Sequence, residues 1–578
     1  MRECKVTRWI LSAAILLLCT CMASPGQAAI LPADLEAKVG ANYQPEGSDE
    51  RGIWQSLARV EEGIRTSPQR LNAPELDAYT RGVVERLIGR PAPDLRIYVV
   101  QDASLNAAML PSGFMIVNTG LLARVRTEAQ LAAVLGHEAG HYFRKHSLDM
   151  HSETRRTSAA ATAAAAALHS SYDAGGGSAW NLINQAILIS GSRFSRDLES
   201  EADAYGLMLM ARAGYPPRAA FAMWEQLVDE RRASAAARHK RYRDETRAEL
   251  STHPPTEERM TNLADTADYL AEKGELPGSE GREEWAAVIR PYQAMLLQEQ
   301  IYLNDPGASL YLLENLAKDG WTGLLRFNEG EVYRLRNANG DDLKAAAAYA
   351  AAIALGDAPS EAWRAHGFAL LKAGNKSEAN EALNRYLVMK PDAPDAALIR
   401  FTLTQPVSAN EILVAGSDMT VKAGSGWKRL PASMSQTRWE DVWTRNGPQL
   451  DRITLVRGLP DGKAIISQET NADQQVPAFR ADMTAQDIMS MVEVSYRIHG
   501  VTVFHFESVE PVDFLGGTGV RLRYNYTSGI GIAKRGSCVM RVVDRKLYAL
   551  KLESVAGRYF DTVDPEFDQL IASAQLRK

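Results

Sequence analysis

The sequence predicts a multidomain chain: a mainly α domain with a small sheet over residues 32–275, an α-helical repeat segment over 284–405, a linker over 406–426, and a C-terminal α+β domain over 427–578. Three observations carry this. Helix-period apolar patterns, broken by only two short strand-like runs, fill the first part. A spaced pattern of large, small and aromatic residues follows it. After a stretch of small and polar residues, the apolar period switches to two. A chain of 578 residues is also too long for one hydrophobic core.

The first 28 residues stand outside the fold. Arg2, Lys5 and Arg8 precede a short apolar run from Ile10 to Cys19, and Gly26-Gln27-Ala28 offers small residues for cleavage. This is the form of a secretory signal peptide, and the run is shorter than the roughly 20 residues that span a bilayer. Cys4, Cys19 and Cys21 fall inside it, which leaves Cys538 alone in the mature chain. Neither an intrachain disulfide nor a cysteine metal site is then available. An exported, nearly cysteine-free protein fits a bacterial periplasm.

In the first domain, Leu95–Val100 and Gly113–Asn118 read as strands. Thr127, with Gln130 three residues on, reads as the start of a helix. The alanine run from Ser158 to Leu168 reads as helix, Gly175-Gly176-Gly177 as a break, and Phe194–Ala213 as a second long helix stopped by Gly214. Farther on, Trp363, Gly367, Leu370, Ala379, Leu383 and Pro391 follow the spacing of a tetratricopeptide (TPR) repeat. Gly330, Tyr333, Ala345, Tyr349 and Ala352 form a looser copy. Such helix pairs dock a protein or peptide, or else brace the first domain. In the last part, runs near 453, 501, 519 and 547 alternate as antiparallel strands, and Thr484–Arg497 and Pro565–Ala574 read as helices. No chemical motif appears there; Cys538 reads as a buried small residue. The net charge of −6, without a basic block, excludes nucleic acid as the main partner.

The chemistry sits in His137-Glu138-Ala139-Gly140-His141. Histidines four apart share a helix face and can converge on one zinc ion. Glu138, beside the first of them, is placed to take a proton from water at the metal and pass it to a leaving amine. In a chain of this composition roughly 0.01 chance matches to H-E-x-x-H are expected. A third protein ligand is needed, and Glu199 in Glu199-Ser-Glu201-Ala-Asp203 supplies it. Asp203, four residues on, shares its face and would orient a ligating histidine; Glu201 points elsewhere. His146 lies roughly 140° round from His141 on a continued helix, off the ligand face, at the helix end or surface.

These two segments, with Asn106–Leu122 ahead of them, resemble the zinc peptidases of the HtpX and CAAX-prenyl-protease type over about residues 50–265. The signal peptide, the lack of apolar spans and the TPR pattern narrow the likeness to the periplasmic BepA-like branch, associated with quality control and assembly of outer-membrane proteins. The resemblance implies a zincin-like (gluzincin) metallopeptidase domain holding one Zn2+ per chain through His137, His141 and Glu199, with Glu138 as general base. It places the Gly113–Asn118 strand at the rim of the cleft, where an extended substrate could pair with it; an ordinary covered edge strand is the alternative. Ser251-Thr-His253-Pro-Pro-Thr-Glu-Glu-Arg259 resembles the family's S-T-H-P-x-x-x-x-R signature. That implies a site role for His253, either capping the zinc in a latent state or stabilising the oxyanion.

The expected function is a periplasmic zinc endopeptidase that degrades or processes misfolded envelope or outer-membrane proteins. Its substrates are unfolded proteins, with a docking partner at the TPR face and no transmembrane span after signal cleavage. The alternative is a chaperone or assembly scaffold with a latent zinc site.

Overall fold

The computed structural model describes residues 36–150, 194–242, 257–272, 278–404 and 419–576, apart from 41, 91, 93, 423–426, 432–434, 436, 449, 467–475, 502, 529 and 530. The expected signal peptide, the alanine run at 158–168, the glycines at 175–177, His253 and most of the 406–426 linker lie outside the described residues.

Helices α1 (Gly47–Thr66) and α2 (Pro74–Ile88) lead into β1 (Arg96–Val100), β2 (Ala107–Met109) and β3 (Phe114–Asn118). The strand order is β1–β3–β2. β3 pairs in parallel with β1 and antiparallel with β2. The expectation that Gly113–Asn118 offers an edge to substrate is therefore corrected. Both edges of that strand are filled, Val117 standing opposite Val99 on one side and Ala107 on the other. Among the described residues, the unpaired edge next to β3 belongs to β2.

After α3 (Thr119–Leu122) comes α4 (Glu128–Phe143), which carries the histidine motif. Thr127 caps it by accepting from Gln130 N, while Gln130 Oε1 accepts from Arg126 N at 2.8 Å, one residue further back than in a capping box. The next free donors, Glu128 N and Ala129 N, reach the carbonyls of Gly281 and Glu280. All sixteen residues of α4 are buried. A helix buried all round is fixed by neighbours on every side rather than by one apolar stripe.

The neighbour that matters most is α5 (Arg196–Arg212), capped by Ser195. The two helices meet glycine on glycine. A Cβ at Gly206 would lie 2.9 Å from His137 N, and one at Gly140 would lie 2.9 Å from Ala202 O. Small residues here let the helix backbones touch. α6 (Arg218–Ala237) and α7 (Glu257–Glu272) pack behind them.

Helices α8 (Arg282–Ile289), α9 (Gln293–Tyr302), α10 (Pro306–Leu316) and α11 (Gly323–Arg336) share one core with the sheet and α4, running from Val39 to Val332. Trp285, fully buried, donates its Nε1 proton to Val125 O at 2.8 Å. α12 (Asp341–Ala354), α13 (Glu361–Lys372), α14 (Lys376–Met389) and α15 (Ala396–Thr404) continue the stack. The spaced glycines fall where helices pair: a Cβ at Gly330 would strike the Tyr349 ring, and one at Gly367 would strike Leu383.

The last part is a seven-stranded antiparallel sheet. It takes in β5 (Lys428–Arg429), β6 (Glu440–Thr444), β7 (Asp451–Pro460), β8 (Val503–Phe514), β9 (Gly517–Thr527), β10 (Ala533–Val543) and β11 (Lys546–Val555). A helix covers each face: α16 (Ala485–Ile498) on one and α17 (Arg558–Ser573) on the other. Strand β11 shows the alternation, with Leu547 and Ala549 in the α16 core and Tyr548, Leu550 and Leu552 in the α17 core. α17 begins earlier than Pro565, which lies inside it. β4 (Met419–Thr420), within the expected linker, pairs with β12 (Gln575–Leu576). Cys538 is wholly buried, and burial pushes its thiol up to about 12.

Candidate metal centre

His137, His141 and Glu199 meet in the groove between α4 and α5. His137 Nε2 and His141 Nε2 stand 3.2 Å apart. Glu199 Oε2 is 3.5 Å from the first and its Oε1 is 3.7 Å from the second. All three residues are buried. Donors bound at about 2.0–2.1 Å to a tetrahedral zinc stand roughly 3.3–3.4 Å apart. The donor set therefore has the chemistry and nearly the spacing that zinc requires, so the residues fit the ion.

The outer nitrogen of each imidazole is also held. His137 Nδ1 lies 2.8 Å from Asp203 Oδ1. That carboxylate takes a bidentate pair from Arg259, Nε to Oδ2 at 2.9 Å and Nη2 to Oδ1 at 2.8 Å. Arg259 Nη1 reaches Glu199 Oε2 at 2.9 Å, and its guanidinium lies over the Trp224 ring. Burial alone would raise the Asp203 carboxyl, but Arg259 and His137 hold it well below the usual carboxylate range. Sequence reasoning gave Arg259 no role. Its place in the Ser251–Arg259 segment was the only signal, and nothing local tied it to Asp203.

Around His141 the structure overturns an expectation. His146 is not at the surface: it is completely buried, with its Nδ1 3.0 Å from His141 Nδ1. The helical angle presumed a helix that runs on, whereas α4 ends at Phe143 and Lys145 takes φ 64°. The turn brings His146 back beside His141. Its Nε2 faces Glu201 Oε2 at 3.5 Å, and Glu201 pairs with Arg144. Burial pushes the His146 imidazole down to about 4, against the pull of Glu201. Phe194 stacks on His141, ring centres 3.9 Å apart.

Glu138 is buried beside the open sheet edge, where Met109 N donates to its Oε2 at 3.3 Å. The pairing of Leu110 N with Phe114 O and of Asn118 N with Asn106 O turns the intervening Met109 N outward, away from β3. The edge of β2 therefore looks straight at the Glu138 carboxylate.

Residues 70–267 match the model of peptidase family M48. The mitochondrial metalloendopeptidase OMA1 of Schizosaccharomyces pombe is 35% identical over 188 residues, which cover 32% of this chain and 51% of that protein. A putative beta-barrel assembly-enhancing protease of Vibrio cholerae is 26% identical over 268 residues, 43% of this chain and 51% of that one. The beta-barrel assembly-enhancing protease of Escherichia coli K12 is 25% identical over 215 residues, 36% of this chain and 42% of that one. The matched region thus spans about half the length of these relatives.

Proposed function

We propose, from the premise that residues 70–267 are a peptidase family M48 domain, that the chain is a zinc-dependent endopeptidase acting on unfolded or misassembled proteins of the bacterial envelope. The observation that carries the reading is the near-tetrahedral spacing of His137 Nε2, His141 Nε2 and Glu199, which would hold the ion. A bound zinc would supply the Lewis acidity that polarises the scissile carbonyl and eases deprotonation of water. Glu138 takes the proton from the attacking water and delivers it to the leaving amine. Asp203 fixes the tautomer of His137 so that Nε2 keeps its lone pair.

Substrate lies along β2 as an added strand, its main chain bonded to the outward groups of Ala107 and to the outward carbonyl of Met109, whose N–H serves Glu138. Backbone pairing tolerates varied sequences, which suits a peptidase for unfolded chains. Periplasmic location, docking of clients on the helices from α11 to α14, and capping of the site by His253 belong to the same reading. Support for the envelope assignment comes from the bacterial relatives named for beta-barrel assembly, and no helix among the described residues is long and apolar enough to cross a membrane.

The test is zinc content and casein digestion for the wild type and Glu138→Gln. One zinc in both proteins, with digestion lowered at least about 10²-fold in the variant, is expected. Equal digestion by the two would sink the assignment of Glu138. Envelope assembly fully preserved in cells carrying Glu138→Gln would favour a scaffold with a latent site.

A further inference from the structure

We propose that His146 is a positioning residue for His141, forming with Glu201 and Arg144 a relay that fixes the imidazole as a metal donor; this rests on the zinc reading above. His141 turns Nε2 toward His137 Nε2 and Glu199, at 3.2 and 3.7 Å. To bind a cation there it must present a lone pair, so its proton sits on Nδ1. The atom facing Nδ1 is His146 Nδ1 at 3.0 Å, which must then accept. The proton of His146 is consequently on Nε2, which faces the Glu201 carboxylate at 3.5 Å, an electrostatic contact rather than a hydrogen bond. Glu201 is in turn paired with Arg144. Every proton along this line has one position compatible with a metal at the far end.

The arrangement repeats, with a different first partner, what holds the other histidine. His137 leans on Asp203 and Arg259, whereas His141 leans on His146, Glu201 and Arg144. All three acids of Glu199-Ser-Glu201-Ala-Asp203 are used, the first at the donor cluster and the other two behind separate imidazoles. Partners of this kind set the tautomer and orientation of a ligating histidine, and their loss costs 10–100-fold in metal affinity.

The experiment is zinc affinity of the full chain, measured by competition with a chromogenic chelator, for wild type, His146→Leu, His146→Asn and Glu201→Gln. Leucine keeps apolar bulk but cannot accept; affinity is expected to fall about 10–100-fold. Asparagine places Oδ1 near the position of the imidazole Nδ1, so affinity should stay within about threefold of wild type. Glu201→Gln should weaken zinc by at least about threefold. Wild-type affinity in His146→Leu would overturn the proposal, and so would an equal loss in His146→Asn, because shape rather than the hydrogen bond would then be at work. If His146→Leu does not fold, wild-type affinity in Glu201→Gln overturns it instead. A wild-type chain that takes up no zinc would bring down the zinc reading itself, a result distinct from these.

Discussion

Asp203 Oδ1 stands 2.8 Å from His137 Nδ1, and the same oxygen receives Arg259 Nη2 at 2.8 Å. One buried carboxylate thus serves a candidate ligand and a buried cation together. Replacing it with asparagine keeps the shape but removes the charged bidentate partner of Arg259, whose Nη1 still reaches Glu199 Oε2 at 2.9 Å. Asp203→Asn is expected to cost on the order of 3 kcal/mol of stability, since breaking a buried pair strands a charge. Zinc affinity should fall about 10–100-fold in parallel. Thermal unfolding and zinc titration check the two effects, and an unchanged zinc affinity would remove Asp203 from the site.

Gly206 sits against the backbone of His137. In Gly206→Ala the new methyl would lie 2.9 Å from His137 N, so α4 and α5 must separate. Overpacking of this kind costs about 1–3 kcal/mol. The displacement also moves Glu199 relative to both histidines, so peptidase activity should drop further than stability does. Activity measured well below the melting transition tests this; full activity there would mean the groove absorbs the methyl.

Glu299 on α9 is pushed up to about 7 by burial, with nearby Asp102 adding to the rise and Thr119 and Arg497 opposing it. Thr119 Oγ1 lies 2.7 Å from Glu299 Oε2 and 3.0 Å from Asp102 O. One hydroxyl proton cannot serve both oxygens, and a protonated Glu299 donating to Thr119 satisfies each. A carboxyl whose folded pKa is raised favours folding below its unfolded pKa of about 4.3. That contribution is lost as pH rises through about 7, by up to about 4 kcal/mol. Glu299→Gln, which can donate at any pH, should melt higher than wild type at pH 8 and match it at pH 5. A melting difference independent of pH would refute this.

Arg334 ties the helical stack to the C-terminal domain. It reaches Glu331 at 2.6 Å on its own helix, and Asp487 at 3.0 Å and Ser490 at 2.8 Å on α16. Burial opposes its charge, but these carboxylates hold the guanidinium protonated well above its ordinary value. Arg334→Leu should destabilise by about 3 kcal/mol. Calorimetry is expected to resolve separate transitions for the stack and the C-terminal domain. A single transition at the wild-type temperature would show that other contacts, such as Tyr302 OH with Glu493, suffice.

Sequence alone determined whatever depends on spacing within one element. His137, Glu138 and His141 lie on one helix, and Glu199 and Asp203 share a face of another, because 3.6 residues per turn leaves no other arrangement. The two short strands and the period-two runs of the C-terminal part were legible for the same local reason. Strand β10, with two charges and a glycine before its apolar run, was not. Only the tertiary structure decided which edge of the sheet is open, since sheet order depends on pairing between distant segments; it gave that edge to β2 and buried β3 in the middle. It also recruited Arg259, whose partner Asp203 is 56 residues away in sequence. It turned His146 inward at the Lys145 break, against the angle a straight helix would give. Each of these comes from segments distant in sequence being brought together, where contact between elements rather than periodicity selects the partner.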